Sequence, residues 1–471
     1  MGPGLLALDA SREEVLAHAT GLIAAAWRSF DRYRPSEPPI DQHVRALIAS
    51  RLPERPTPVG EALDDAYRIL DESIAQPRPR YFAFIGSSGL EIGVVGDALA
   101  SCFDVNLGRY AAAATEIERQ AVRWVASFVA FPAGGGTFTS GGTISNLTAL
   151  AAARERALPG SRKRGVAGAR PTLYASLEAH YSVERAAELL GFGAESLRAV
   201  PIDRAHRLVP TELDKAIARD LAAGATPVAV VANAGTTLTG AVDPLGQIAD
   251  VCAAHGVWLH VDGAYGVPAA STRSHGHLFS GLERADSVAL DAHKWLYLPK
   301  ACSVVLVRDA SALTTAFAHE VAYMQHGDEE ELHAVDQTLE YSRPFRALKL
   351  WLAFRVHGAR AFREAIEANL EQARLLADLV RSCTDLELAL EPELSVVPFR
   401  HRPEHQFALD EHNRRLADEL VADGRVYVAG AVIDGHQWLR PCLVNYRTTS
   451  EDVRALVDIV REVGARLAKT S

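Results

Sequence analysis

The sequence predicts an α/β fold in which a mostly parallel central sheet carries helices on both faces and a smaller α+β domain follows. Three observations point there. From about residue 86 to 345, helical patterns alternate with short β-rich runs: Thr172-Leu-Tyr-Ala, Val228-Ala-Val-Val, Val257-Trp-Leu-His-Val, Ser287-Val-Ala-Leu and Ser303-Val-Val-Leu-Val. Strands separated by helix-length segments pair in parallel, because the chain must cross over a sheet face to return. Two of the runs end in polar residues that a folding core does not require, Asp262 and the pair His293-Lys294. After the last run, a long helical stretch from about 344 to 381 leads away into the C-terminal part.

The elements follow in order. Residues near 10–30 read as an amphipathic helix, with Asp9 or Ser11 as cap and Val15, Leu16, Ala19, Leu22, Ile23 and Ala26 at helical spacing. Proline clusters around 35–39 and 53–58 break it, and a second helical segment covers roughly 59–75. Such an arm is too small to bury its apolar face alone. Gly134-Gly-Gly-Thr-Phe and Thr139-Ser-Gly-Gly-Thr-Ile-Ser-Asn146 form a glycine-rich turn opening a helix, which offers free N–H groups and a positive dipole end to a phosphate. Glu178-Ala-His180 begins another helical pattern, and Val230-Val-Ala-Asn-Ala-Gly-Thr236 ends a strand in a hydroxyl- and glycine-rich turn. The domain division expected is 1–85 (a helical N-terminal arm), 86–345 (a large domain) and 346–471 (a small domain).

Composition narrows the class. With 471 residues, 48% of them hydrophobic, the chain can bury a large core. Its formal charge of −10 argues against nucleic acid or an anionic membrane as partner. Five scattered cysteines without a C-x-x-C pair suit a reduced, cytoplasmic protein. No apolar run approaches the ~20 residues of a membrane span, and no signal-type start is present. His275 and His277 lack acid or cysteine companions at suitable spacing, and no metal is expected.

A carboxylate and an amine at the ends of two strands are what a pyridoxal phosphate enzyme needs. The amine, Lys294, forms a Schiff base, and the acid, Asp262, keeps the pyridine nitrogen protonated so that the ring accepts electrons. Either residue alone reads equally well as surface or cap chemistry; their order with the glycine turn and His180 gives the pattern its weight.

Taken together, these motifs resemble the pyridoxal phosphate-dependent amino-acid decarboxylases of the group that includes aromatic-L-amino-acid and glutamate decarboxylases. The resemblance runs from Arg80-Tyr-Phe-Ala-Phe-Ile through Ala114-Thr-Glu-Ile-Glu-Arg-Gln-Ala-Val-Arg-Trp124, Arg343-Pro-Phe-Arg-Ala-Leu-Lys-Leu-Trp351 and Trp438-Leu-Arg440. It implies a fold-type I architecture and a homodimer with shared active sites, the arm packing across the partner. It implies His180 on one face of the ring and Ala264 on the other, with Gly142, Thr143, Thr236 and His293 as phosphate and ring-oxygen contacts. Gly263 stands where the family usually has alanine, and Asp291 where the aromatic decarboxylases carry asparagine. Arg440 matches the arginine that binds a substrate carboxylate in glutamate decarboxylases. Tyr323, in a polar loop after the lysine, matches the tyrosine that returns a proton once CO2 has left, with His326 as second candidate.

Substrate choice is less legible. The region of Phe82-Ala-Phe84-Ile-Gly-Ser87 is expected to line the side-chain pocket, Phe84 and Ser87 included. Cys102-Phe-Asp104-Val-Asn106-Leu carries polar residues where aromatic-specific members place apolar ones, against a catecholic or indolic substrate. The activity implied is decarboxylation of an L-amino acid to its amine. The alternatives are an aldehyde synthase or carbon–carbon lyase on the same scaffold, and a non-catalytic binding homologue, which would have no use for Lys294, Asp262 and His180 together.

Overall fold

The structure, a computed structural model, describes residues 8–31, 40–108, 110–319, 334–404 and 408–470. At its centre lies a seven-stranded sheet: β1 (Gly135–Thr139), β2 (Pro171–Ser176), β3 (Leu197–Val200), β4 (Thr226–Asn233), β5 (Trp258–Asp262), β6 (Ser287–Leu290) and β7 (Ser303–Val307). The order is β1-β7-β6-β5-β4-β2-β3. Only β7 runs against its neighbours; β6-β5-β4-β2-β3 are parallel. Val230, Val261, Val288 and Leu290 are 0% exposed, as expected of strands covered on both faces.

Helix Gly142–Ala157 packs on this sheet through Ala149, Leu150, Ala152 and Ala153, all buried. Small side chains let its axis come close, which brings its first turn against the ends of β5 and β6. The alanine-rich choice also favours the helix itself. Register aligns Asn233 of β4 with Asp262 of β5, and Asp262 with Ala289 of β6. The carboxyl ends of β2, β4, β5 and β6 therefore open together on one edge, where α/β sheets bind ligands.

A second, antiparallel sheet of four strands contains β8 (Leu386–Leu388), β9 (Phe399–His401), β10 (Gly430–Ile433) and β11 (His436–Leu439), ordered β10-β11-β9-β8. Helices Leu409–Asp423 and Ser450–Thr470 pack beside it through Leu416, Leu420, Val453, Val457 and Val460. Helix Ala347–Ser382 is broken at Gly358, whose φ of 72° and ψ of 153° are not helical. Phe82 N–H donates to the Tyr427 carbonyl and Phe82 carbonyl accepts from Cys442 N–H, both at 2.9 Å.

At the N-terminus, helix Arg12–Phe30 is closed by a capping box: Glu14 N–H donates to Ser11 Oγ and Ser11 N–H to Glu14 Oε2. Its His18 bonds Asp64 of helix Val59–Asp71 at 2.8 Å. Helix Gln42–Ala49 stands between the two, in a proline-flanked stretch read as a break. Leu16, Ile48 and Leu70 of these helices are more than 60% exposed.

Two other local readings change. Gly135–Thr139 is a strand, not part of the turn, and the turn proper is Ser140-Gly141. Glycines give no β signal; pairing with β7 imposes the extended form. β3 was also unmarked, since Leu-Arg-Ala-Val is short and its neighbour β2 does the ordering.

Candidate active site

The loops after β1, β2, β4, β5 and β6 enclose a cavity of about 380 Å³. Gly142, Thr143, His180, Asp262, Ala264, His293 and Lys294 all line it, in agreement with the sequence expectation for their location. Gly142 opens its helix without a side-chain cap. A Cβ there would meet Ala264 Cβ and Asp291 Oδ2, each at 3.1 Å, so only glycine leaves the first turn bare. Thr139, Ser145 and Ser303 link hydroxyl to hydroxyl behind it at 2.7 and 2.8 Å, tying the turn to β7.

Asp262 ends β5 with both oxygens engaged. Asn146 Nδ2 donates to Oδ2 at 2.8 Å, and the Ala264 N–H reaches Oδ1 at 3.2 Å. The next residue, Gly263, admits no Cβ, which would fall 1.9 Å from Val267 Cγ2. Glycine in place of the family's alanine is thus matched to a valine packed under the turn.

Lys294 is partly buried, its Nζ 3.1 Å from Asp291 Oδ2. Burial disfavours its charge, but Asp291 and Asp262 outweigh that and raise its pKa, so the amine is held protonated. Asp291 is 2% exposed. Burial pushes its carboxyl up, and Lys294 followed by His293 pulls it down further, for a net lowering. Its Oδ1 is buried without a hydrogen-bond partner among the described residues. His293 Nδ1 donates to the Cys302 carbonyl at 2.9 Å, leaving Nε2 3.6 Å from Asp291 Oδ2.

His180 sits just ahead of helix Ser182–Leu189, its Nδ1 2.9 Å from Ser182 Oγ. Burial depresses its pKa, with Asp262 opposing, and the ring is neutral near pH 7. Lys300 lines the opposite side, its own pKa lowered first by burial and then by Lys294.

Four expected residues sit elsewhere. Thr236 is 1% exposed in the turn after β4, where Gly235 (φ 97°) swings the chain. Its Oγ1 lies 2.9 Å from Thr239 Oγ1 and accepts from the Thr239 and Ala241 N–H groups. Thr237 lines the cavity instead. Arg440 is buried one layer behind the wall, donating to the Thr237 carbonyl at 2.9 Å. Ser87 donates to the Leu298 carbonyl at 2.7 Å, and Phe84 is 55% exposed; neither lines the cavity in the single chain. Tyr323 and His326 lie outside the described residues.

Sequence reasoning missed Asn146, Asn233, Tyr265 and Lys300 as lining residues. Asn146 was visible as the last polar residue before an apolar helix run, a signal that could have marked it.

The chain matches the family model described as the pyridoxal-dependent decarboxylase conserved domain over residues 41–402. It is 34% identical to an aromatic-L-amino-acid decarboxylase of Bacillus atrophaeus, over 89% of this chain and 88% of that protein. To cysteine sulfinic acid decarboxylase of Homo sapiens it is 30% identical, over 90% of each. Its fold superposes on a crystal structure of Oryza sativa TDC with PLP and tryptamine at a TM-score of 0.91 and 28% identity, covering 97% of this chain and 98% of that one.

Proposed function

This chain belongs to the pyridoxal-dependent decarboxylase family, and from that premise we propose how its own residues serve the reaction. The protein is a pyridoxal phosphate-dependent carboxy-lyase that converts an amino acid to its amine and CO2. The residues present fit the cofactor: an amine (Lys294), an acid (Asp262) and an uncapped helix start bared by Gly142 meet in one cavity. When bound, the cofactor supplies an electron sink for the bond to the departing carboxylate.

The protein's part is to hold and to orient. Lys294 would carry the cofactor through its amine. Asp262, fixed by Asn146 and the Ala264 N–H, would pair with the ring nitrogen. Gly142 and Thr143 would receive the phosphate at the helix start, where free N–H groups and the helix dipole favour an anion. His180 would cover one ring face and Ala264 the other, excluding water beside the leaving carboxylate. His293 would serve the phosphate side, with Thr237 in the place foreseen for Thr236. Arg440 would steady that turn and place a buried cation near a substrate carboxylate. Tyr323 would return the proton to carbon.

The convergence of Asp262, His180 and Lys294 carries this reading. Borohydride treatment should fix the cofactor to the Lys294 peptide, and CO2 release across a panel of L-amino acids should identify the substrate. Trapping on Lys300 or Lys349 would overturn the assignment. The same assay, read for peroxide and aldehyde, decides against or for an aldehyde synthase.

The active form on this reading is a homodimer with shared sites. Support comes from Val95, Leu99 and Phe103 (40, 46 and 80% exposed) on helix Glu91–Phe103, and from the exposed apolar positions of the arm. Phe84 and Ser87 would then face substrate only in the assembled dimer. The division at 85/86 and 345/346 separates that arm and the four-stranded sheet from the cavity-bearing region. Five unpaired thiols suit a cytoplasmic location. Sedimentation of the full chain and of a 1–75 deletion tests the dimer; a stable, fully active truncated monomer would exclude it.

A further inference from the structure

We propose that Asn146 is a positioning residue that couples Asp262 to His180, its own orientation being held by a buried hydrogen-bond chain through His260 and Ser287 to Trp258. The inference rests on the roles given above to Asp262 and His180.

The direction of the chain follows from the Asp262 carboxylate, whose oxygens accept. Asn146 therefore turns its NH2 that way, one proton going to Asp262 Oδ2 at 2.8 Å and the other to Ser182 Oγ at 2.9 Å. Its amide oxygen then faces His260 Nε2 at 2.9 Å, and that nitrogen donates. A neutral imidazole with its proton on Nε2 accepts at Nδ1, so Ser287 Oγ donates there at 2.8 Å. Trp258 Nε1, an indole N–H that can only donate, starts the series at Ser287 Oγ, 2.8 Å away. The Ser182 backbone N–H points at His180 Nδ1 at 3.3 Å, which marks that nitrogen as an acceptor, and Ser182 Oγ donates to it at 2.9 Å. His180 is left as the Nε2–H tautomer.

Every bond in the series runs one way, from the indole to the histidine of the cavity. A flipped Asn146 would set its oxygen against the Asp262 carboxylate and its NH2 against His260 Nε2–H. Trp258, Ser287, His260, Asn146 and Ser182 are each at most 4% exposed, so solvent does not repair such an error. Burial also holds His260 down to about 4, which keeps it in the neutral form the chain requires. The network therefore fixes two things at once: the aim of the Asp262 carboxyl, set by a donor, and the proton position on the ring-covering histidine.

The test compares His260→Gln with His260→Met in the cofactor-loaded protein. Glutamine can present an N–H where Nε2 stood; methionine has similar reach and no donor. Cofactor dissociation constants and the pH midpoint of the visible absorption band are measured, beside the melting temperatures. The Met variant should bind cofactor roughly 10- to 100-fold more weakly, from the cost of an unsatisfied buried polar group, with a displaced band midpoint. The Gln variant should stay within about threefold of the parent by the same argument, with its midpoint unmoved. Ser287→Ala, a milder change, should give an intermediate loss. A purely structural network would lower melting in Met and Gln variants alike without moving the midpoint, and that result would overturn the proposal. Failure of the wild type to trap cofactor on Lys294 would instead sink the site assignment itself.

Discussion

In one part of the cavity the Asp262 carboxylate accepts from Asn146 and from the Ala264 N–H; in another, Asp291 has the Lys294 amine and His293 against one oxygen, and its other oxygen has no hydrogen-bond donor among the described residues. Both acids end strands of the same sheet, and both are nearly inaccessible to water. The first is secured by an amide side chain and a backbone N–H, neither of which the reaction proposed above consumes. The second leans first on Lys294, whose amine is taken up by the cofactor on the reading proposed above, and then on His293. A buried charge without its partner is costly, and the group neutralises instead. Asp262 is thus held by fixed donors, whereas the setting of Asp291 changes with what the Lys294 amine does.

Removing the shared amine should break the comparison most severely. In Lys294→Ala, activity should fall by more than the ~10²–10⁴-fold that a lone acid or base is worth, and borohydride should trap nothing on that peptide. Peptide mapping and CO2 release check both. Next in size, Tyr323→Phe asks whether either part of the cavity delivers the final proton. Amine formation should drop ~10²–10⁴-fold while cofactor binding holds and aldehyde appears in its place. Unchanged amine would move the proton source to His326 or to a wall residue such as His180.

The two acids should then answer the same substitution with opposite signs. Asp262→Asn loses a charge-assisted contact worth about 1.5–3 kcal/mol, and cofactor affinity should fall roughly 10- to 150-fold by the same figure. Asp291→Asn removes a negative charge from beside Gly142, where the phosphate is proposed to sit. Its cofactor affinity above pH 7 should rise about three- to tenfold, on the order of 1 kcal/mol, and vary less with pH. The cofactor-free variant should nevertheless be less stable. A folded-state pKa held below the ordinary value, as for Asp291, contributes stability above the unfolded pKa that is lost as pH falls through the folded one. Titration of apo protein and its thermal unfolding separate the two effects; equal signs for both variants would erase the contrast.

The smallest expected effect concerns the support behind Asp262. His260 is lowered from 6.5 to about 4 by burial, and His412 to about 4 by burial and then His401. Folded pKa values below the unfolded ones mean stability that is full above pH 6.5 and declines toward pH 4. Denaturant unfolding across that range should show the decline, and it should be shallower in His260→Gln.

The sheet and its reactive ends were legible because β5 and β6 are apolar runs with Asp262 and Lys294 placed where no core needs them. What escaped the sequence depends on groups distant in the chain. β1 is extended because β7 lies beside it, since Gly135 and Gly136 prefer nothing in particular. Thr236 and Thr237 are alike in composition, and only the turn at Gly235 decides which of them meets the cavity. Asn146 becomes informative once helix Gly142–Ala157, β5 and Ser182 are seen to converge on it.

Asp262 and Ala289 are register partners on adjacent parallel strands, so the acid and the loop bearing Lys294 are held apart by the lateral spacing of a sheet, ~4.8 Å. Residues 263–286, which join the strands through three short 3-10 turns, do not set that distance. Their own packing is tight, with Val267, Ala269, Phe279 and Leu282 buried. The sheet thus fixes how far the acid stands from the neighbouring strand, and the connection fixes what lies beneath it.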